Sequence, residues 1–157
     1  MRVGIGYDVH PLVAGRPLVI GGVTVTFGSG LQGHSDADVL THAIIDALLG
    51  AISLRDIGTH FPDADPQYKD ISSMTLLIRV GEMLHDRGFK IENIDATVIC
   101  EQPRLADHID EMCLNIGAAL GIDTEQVSVK ATTAAGLGFL GEGMGIATHA
   151  IALVERK

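Results

Sequence analysis

An acidic and an imidazole side chain stand two residues apart near the N-terminus, in Asp8-Val9-His10. Side chains alternate between the two faces of a strand, so Asp8 and His10 would lie on the same side of an extended segment and could chelate one metal ion. A D-x-H triplet is equally compatible with an ordinary exposed strand end. The triplet alone therefore does not define a site.

A second polar pattern lies in the first predicted helix, where Asp38, His42 and Asp46 are four residues apart and share one face. Residues 36–50 contain no Lys, Arg or Glu, the residues that a solvated helix face usually carries. The stripe fits either a plain surface or the wall of a cleft. In a cleft, His42 becomes the natural third ligand beside Asp8 and His10.

Two imidazoles and one carboxylate form a ligand set that suits Zn²⁺ and leaves a fourth tetrahedral position for a substrate oxygen. Three protein ligands indicate a catalytic site and not a structural one. Mn²⁺ and Fe²⁺ accept the same set, and the number of ligands does not separate the three metals.

Gly33-His34-Ser35 precedes the first helix, and Ser35 or Asp36 is predicted to cap it. Free N–H groups at a helix N-terminus favour an anion, and His34 would lie beside it. His34 is also compatible with an ordinary surface histidine.

Two further segments carry polar residues that fit either a functional or a purely structural interpretation. Asp63 and Asp65 could hold a polyol through its hydroxyl groups, or could make Asx turns beside Pro62 and Pro66. Lys130 and Thr132 could contact a phosphate, or belong to an ordinary strand. The Gly-rich stretch 136–145 precedes a strand and not a helix, so it is not a dinucleotide fingerprint.

The elements that must position these residues follow from hydrophobic periodicity and from Gly and Pro punctuation. Strands are predicted at 2–8, 94–100, 127–132 and about 146–154, with a hairpin at 17–27 that turns at Gly21-Gly22. Helices are predicted from Ser35 or Asp36 to Gly50, from Ser72 or Ser73 to Gly88, and from Pro103 to Gly121, with a loop at 55–70 whose length favours a functional role. In the second helix, Met74, Leu77, Ile78, Met83 and Leu84 are predicted to face inward.

This order predicts an α/β (α+β) fold in one domain, 1–157, in which one sheet of about four main strands is covered by helices on one face beside a small N-terminal hairpin. If the other sheet face is apolar it needs a partner, and the simplest partner is a second copy of the same sheet. We therefore expect the chain to form an oligomer.

Composition restricts the classes of function. The chain has 157 residues, 46% apolar, and a formal charge of −9. This charge gives no long-range attraction to nucleic acid or to an anionic membrane. Cys100 and Cys113 lie in apolar contexts without CxxC spacing and are predicted to be buried thiols. Neither a targeting signal nor a membrane span is expected, so a cytoplasmic location is predicted.

Four ordered motifs now point to one family: G-x-D-x-H at 6–10, G-H-S-D-A-D-V-x-x-H-A at 33–43, D-I-G-x-x-F-P-D-x-D at 56–65 and K-A-T-T at 130–133. Together they resemble the cyclodiphosphate synthases of the non-mevalonate isoprenoid pathway. The resemblance implies a phosphorus-oxygen lyase in which the 2-phosphate of 4-diphosphocytidyl-2-C-methyl-D-erythritol 2-phosphate attacks the β-phosphorus and CMP leaves.

The resemblance also implies roles for residues. It implies Zn²⁺ at Asp8, His10 and His42, a second ion, Mg²⁺ or Mn²⁺, on the substrate diphosphate, and His34 and Thr133 as catalytic residues. Substrate-binding positions would be Asp8, His10, His34, Ser35, Asp46, Asp56, Ile57, Gly58, Phe61, Pro62, Asp63, Ala64 and Asp65. Cytidine-binding positions would be Cys100, Glu101, Gln102, Pro103, Arg104, Leu105, Ala106, Ala131, Thr132, Thr133 and Ala134.

A homotrimer with sites at subunit boundaries is implied as well. Two positions depart from the family pattern. Ala135 stands where many members carry a Glu that helps to hold the second ion. Glu142 stands near Phe139 where many carry an Arg and where an isoprenoid diphosphate can bind on the trimer axis, so this chain is expected to reject that anion. Two rival functions stay open, a metal-dependent phosphohydrolase and a trimeric binding module without catalysis.

Overall fold

The computed structural model describes residues 1–157 as a mixed sheet with helices on one face. The strands are β1 (Arg2–Ala14), β2 (Leu18–Ile20), β3 (Val23–Val25), β4 (Ser29–Leu31), β5 (Phe89–Ile99), β6 (Val127–Thr132) and β7 (Gly145–Arg156). Five of them form a sheet in the order β4-β1-β7-β5-β6, while β2 and β3 form a separate hairpin. All pairs are antiparallel except β5 with β6.

The helices are α1 (Val39–Ala51), α2 (Ile57–His60), α3 (Ser73–Asp86), α4 (Ile109–Leu120) and α5 (Gly138–Gly141), with 3₁₀ turns at Pro66–Tyr68, Ala106–His108 and Thr124–Gln126. Helix α1 packs on β1 and β7, and 11 of its 13 residues are buried. A cluster of 37 buried hydrophobic residues fills the space between the helices and the sheet. None of the helices has the length and apolarity that a membrane crossing requires.

The close contact between α1 and β1 depends on two glycines. A Cβ atom at Gly4 would lie 1.9 Å from the carbonyl oxygen of Ala47, and one at Gly6 would lie 1.8 Å from that of Ala43. Asp8 and His10 continue the same alternation along β1 and reach His42 on α1. The glycines thus set the distance at which strand and helix present their polar residues to each other.

The opposite face of the sheet is apolar along β1 and β7. Val3, Ile5, Tyr7, Val9 and Ile151 are between 37% and 72% exposed. Toward the β6 edge the same face becomes polar, because Asp95 and Lys130 form an ion pair there. An apolar stripe of this size is unusual on a free surface, because burying such side chains is favourable.

Several sequence predictions are confirmed and several are corrected. The hairpin turns at Gly21-Gly22, and α4 ends at Gly121, which has a left-handed φ of 65°. The main sheet has five strands and not about four, because β1 runs on past residue 8 and its end pairs with β4. The loop predicted at 55–70 contains two short helical turns, which Asp56 and Asp65 cap.

Three helix predictions are wrong in detail. Helix α1 begins after Asp38, whose carboxylate accepts a hydrogen bond from Thr41 N, and not after Ser35 or Asp36. The helix predicted from Pro103 begins as α4 at Ile109, because the residues before it form a bend and a 3₁₀ turn, Ala106–His108, next to the buried Leu105. In α3, Ile78 is 45% exposed instead of facing inward.

Candidate metal centre and substrate cavities

Asp8, His10 and His42 form a compact group where β1 approaches α1. Asp8 Oδ2 lies 2.8 Å from His10 Nε2 and 3.2 Å from His42 Nδ1. The two imidazole nitrogens are 3.2 Å apart. The strand alternation predicted for Asp8 and His10 is therefore confirmed, and α1 brings His42 beside them.

These distances fit a divalent metal ion. Zinc bonds of roughly 2.0–2.1 Å at tetrahedral angles place neighbouring ligand atoms about 3.3 Å apart. The three observed separations lie close to that value, and the donors are two imidazoles and one carboxylate oxygen. The group can hold a divalent metal and would leave one coordination position free.

Hydrogen bonds on the far side of each imidazole fix which nitrogen faces the metal position. His10 Nδ1 lies 2.8 Å from the carbonyl oxygen of Gln32, which can only accept, so Nδ1 carries a proton and Nε2 is the nitrogen that faces Asp8 and the metal position. His42 Nε2 lies 2.8 Å from Ser73 Oγ and 3.2 Å from Ser35 Oγ. This arrangement leaves His42 Nδ1 free to bind.

The electrostatics of the group favour the ionised carboxylate. Burial raises the pKa of Asp8, but hydrogen bonds and charge interactions with His10 and His42 outweigh it and lower the pKa to about 2. Burial lowers the pKa of His10, but the hydrogen bond to Asp8, the charge of Asp8, the hydrogen bond to the Gln32 backbone and the charge of Asp63 together outweigh it, and the net shift of the pKa is upward. The carboxylate is therefore ready to bind a cation at neutral pH.

The group lies in a cavity of about 190 Å³. Eight residues predicted to bind substrate line it: Asp8, His10, His34, Ser35, Ile57, Gly58, Phe61 and Asp63. Gly33, His42, Tyr68 and Leu76 complete the lining. Sequence reasoning missed Tyr68 and Leu76 as site residues, although a tyrosine within a polar loop of an aromatic-poor chain could have drawn notice.

Five residues predicted to bind substrate do not line this cavity, namely Asp46, Asp56, Pro62, Ala64 and Asp65. Three of them hold backbone instead. Asp46 accepts a hydrogen bond from Ile57 N at 2.8 Å, Asp56 from Thr59 N at 2.8 Å, and Asp65 from Gln67 N at 3.0 Å. Burial raises the pKa of Asp46. The turn-forming alternative thus describes Asp65, while Asp63 faces the cavity.

Two residues of the predicted polar stripe, Asp38 and His42, have different surroundings. His42 lines the cavity, whereas Asp38 is fully buried and points to the hairpin. Its carboxylate accepts hydrogen bonds from Gly21 N at 2.9 Å and Gly22 N at 2.8 Å, besides the helix cap. Asp38 is therefore not part of the cleft wall that the four-residue spacing suggested.

His34 lines the same cavity as the metal group. Its Nε2 is 3.2 Å from the carbonyl oxygen of Asp65. Ser35 does not cap α1, because its hydroxyl accepts a hydrogen bond from Ala37 N within the preceding turn. The cavity interpretation of His34 thus fits better than that of an ordinary surface histidine.

A second, larger cavity of about 660 Å³ lies at the β5 and β6 end of the sheet. The predicted cytidine segments meet there: Cys100, Glu101, Gln102, Pro103, Arg104, Leu105, Ala106, Ala131, Thr132 and Thr133 line it with Ile109 and Asp110. Ala134 is adjacent, since its N–H donates to Glu101 Oε1 at 2.5 Å. Lys130 pairs with Asp95 on the sheet face and lines neither cavity, which favours the ordinary-strand interpretation.

The two cavities share no lining residue, so one chain does not bring His34 and Thr133 together. Phe139 and Glu142 lie at α5, and Ala135 is exposed with a left-handed φ of 54°. A single chain therefore presents the metal group and the predicted cytidine segments in two separate cavities.

The chain belongs to the YgbB family, whose model matches residues 1–155. It is 57% identical over 154 residues to the 2-C-methyl-D-erythritol 2,4-cyclodiphosphate synthase of Alkaliphilus oremlandii, with 98% of each chain covered. Among solved structures, it is similar to IspF of Plasmodium falciparum in complex with CDP, at a TM-score of 0.88 and 33% identity over 99% of this chain and 96% of that one.

The bifunctional IspDF of Campylobacter jejuni contains a similar fold, with a TM-score of 0.96 and 39% identity. The match covers 99% of this chain and 42% of that longer protein. The family that the four motifs predicted is thereby confirmed, and so is the α+β fold class that the order of elements predicted.

Proposed function

We propose that the chain converts 4-diphosphocytidyl-2-C-methyl-D-erythritol 2-phosphate to 2-C-methyl-D-erythritol 2,4-cyclodiphosphate and releases CMP. The observation that carries this proposal is the Asp8, His10 and His42 group within a polar cavity, in a chain 57% identical to a synthase of that name. The reaction joins two anionic groups of one molecule, so it depends on charge neutralisation and orientation.

We propose Zn²⁺ as the ion at the three-residue group, with Mn²⁺ as the second candidate. When bound, the ion would act as a Lewis acid toward a phosphate oxygen. A second ion, Mg²⁺ or Mn²⁺, would be held mainly by the substrate diphosphate, because Ala135 offers no carboxylate in this chain.

The other cavity residues orient the methylerythritol phosphate end. His34 lines the same cavity as the metal group, and a ring N–H of His34 can donate a hydrogen bond to a phosphate oxygen. Asp63 can accept hydrogen bonds from substrate hydroxyls, while Phe61, 6% exposed, closes the apolar side. Asp46 supports this wall indirectly through its hydrogen bond to Ile57 N.

The larger cavity is proposed to hold the cytidine end. Its volume exceeds that of the metal cavity, and its lining includes Arg104 and Thr133. The similar IspF of Plasmodium falciparum was solved as a complex with CDP, which supports a nucleotide ligand here.

We propose a homotrimer in which the metal cavity of one chain meets the cytidine cavity of its neighbour. The exposed apolar stripe of β1 and β7 supports burial against other copies. The separation of His34 from Thr133 within one chain supports sites built at subunit boundaries. The single domain and the cytoplasmic location stay predictions.

Glu142 is proposed to keep isoprenoid diphosphates off the trimer axis. Its carboxylate is exposed near Phe139, and an anion would be repelled by three such groups. Calorimetry with geranyl diphosphate should show no binding to the parent and measurable binding to Glu142→Arg. Tight binding by the parent would contradict this role.

The proposed reaction is tested by incubating the protein with the cytidyl substrate and Mg²⁺ and following CMP by chromatography. CMP and the cyclic product in equal amounts are expected. Inorganic phosphate as the product would instead favour the phosphohydrolase, and no turnover with retained binding would favour the non-catalytic module.

A further inference from the structure

Beyond the three metal ligands, a chain of hydrogen bonds runs from His42 into the protein. His42 Nε2 lies 2.8 Å from Ser73 Oγ, and Ser73 Oγ in turn donates to Asp36 Oδ1. Ser73 is the first residue of α3 and is fully buried. Asp36 lies in the turn before α1. Three segments of the chain therefore meet behind one imidazole ring.

The direction of these hydrogen bonds follows from the groups themselves. A carboxylate can only accept, so the single hydroxyl proton of Ser73 goes to Asp36. Ser73 Oγ can then only accept from His42, which places the ring proton on Nε2. The lone pair of Nδ1 is left directed at Asp8 Oδ2 and His10 Nε2, 3.2 Å away from each.

Asp36 is itself held in one orientation by three donors. Its Oδ2 accepts from Ser73 N at 3.0 Å, and its Oδ1 accepts from Asp38 N at 3.2 Å as well as from Ser73 Oγ. An asparagine at this position would point its NH₂ group at one of these donors in either orientation of the side-chain amide. Only a carboxylate satisfies all three contacts.

We propose that Ser73 and Asp36 are positioning residues for the metal ligand His42, a role that rests on the metal site of the proposed function. Asp36 orients the Ser73 hydroxyl, and that hydroxyl, which is nearer to His42 Nε2 than the Ser35 hydroxyl is, fixes both the rotation and the protonated nitrogen of the ring. Partners behind a ligating histidine typically change metal affinity by about 10- to 100-fold when removed.

The test is zinc affinity, measured by competition with a chromogenic chelator on the metal-free chain. Ser73→Ala and Asp36→Asn should each weaken zinc binding by about 10- to 100-fold. Ser72→Ala is the matched control, since Ser72 caps the same helix end without a side-chain hydrogen bond. It should bind zinc with an affinity close to that of the parent.

A second readout separates positioning from general destabilisation. In the zinc-loaded parent, nitrogen-edited NMR should show a His42 Nε2–H proton protected from exchange with solvent, and Ser73→Ala should lose that protection while its circular dichroism stays native. Rapid exchange of this proton in the parent would overturn the inference without recourse to any variant.

The outcomes distinguish this inference from the function it rests on. If the parent protein binds no zinc, the proposed metal site is refuted, and the positioning role with it. A parent that binds zinc, with folded Ser73→Ala and Asp36→Asn variants binding equally well, overturns only the positioning role. If Ser73→Ala does not fold, Asp36→Asn and the exchange of the parent proton decide the matter.

Discussion

Gly6 on β1 and Ala43 on α1 are in such close contact that a Cβ atom at Gly6 would lie 1.8 Å from the Ala43 carbonyl oxygen. Two residues further along the strand is Asp8, and one residue before Ala43 is His42. The contact therefore sets the separation of two proposed metal ligands. We predict that Gly6→Ala displaces α1 and costs about 1–3 kcal/mol or more of unfolding free energy.

Gly28→Ala is the control for this substitution, because a Cβ atom at Gly28 would meet nothing within 4 Å. Chemical denaturation measures the stability of both variants, and chelator competition measures their zinc affinity. Gly6→Ala should lose both stability and zinc affinity, whereas Gly28→Ala should keep both close to the values of the parent. Unchanged zinc affinity in a destabilised Gly6→Ala would show that the ligands adjust independently of the helix contact.

His42→Ala should abolish zinc binding at the three-residue group. The remaining Asp8 and His10 lie on one strand and offer only two ligands, too few for a zinc site of the usual kind. Elemental analysis after dialysis measures the bound metal. Zinc retained at full occupancy would refute the assignment of His42.

Asp38→Ala should be strongly destabilising although Asp38 lies outside the cavity. The substitution leaves the N–H groups of Gly21, Gly22 and Thr41 without their acceptor. Each buried group left unpaired costs about 1–3 kcal/mol. The exposed cap Ser72, which makes no such bond, provides the comparison: Ser72→Ala should change the unfolding free energy by less than about 0.5 kcal/mol.

Cys100 should be unreactive at neutral pH. Burial raises the pKa of its thiol to about 11, and burial also raises the pKa of Cys113. Because the thiolate is the reactive form, native alkylation by iodoacetamide should be slow near neutral pH and should accelerate as the pH rises toward the pKa of Cys100. Mass spectrometry after timed quenching checks this, and a rate that already levels off in mildly alkaline buffer would contradict it.

Subunit-boundary sites can be tested by mixing two inactive chains. His34→Ala and Thr133→Ala lie in different cavities. If each site takes one cavity from each of two neighbours, random mixed trimers of equal parts should regain about one quarter of parental activity. Denaturing and refolding the chains together, with CMP release as readout, measures this. Sites contained within one chain would give no recovery.

Local pattern was sufficient to predict much of the fold. Alternating apolar residues and the Gly21-Gly22 pair predict the hairpin, and Gly121 marks the end of α4. The start of α1 was not predictable in this way, because three nearby residues, Ser35, Asp36 and Asp38, are all competent caps. Which one caps depends on the hairpin that donates two N–H groups to Asp38, and that is a tertiary contact.

In the site as well, local spacing predicts some features, whereas tertiary contacts determine the others. The spacing of Asp8 and His10 on a strand predicts their shared direction, and the motifs predict His42 beside them. The backbone roles of Asp56 and Asp65 could not be separated from ligand binding, because a ligand-binding carboxylate and a turn-forming one have the same sequence signature. The role of Asp46 depends on a tertiary contact with Ile57 N, 11 positions away. The contact of Ser73 with His42 was not predicted, since nothing in its local sequence points to a residue 31 positions away.

The most direct test of the proposed function follows phosphorus during a single incubation with 4-diphosphocytidyl-2-C-methyl-D-erythritol 2-phosphate, zinc and Mg²⁺. Phosphorus NMR should show the substrate signals replaced by those of CMP and of a cyclic diphosphate in equal amounts, with no such change for His42→Ala. Release of inorganic phosphate, or substrate left unchanged by the metal-loaded parent, would contradict the proposed cyclisation.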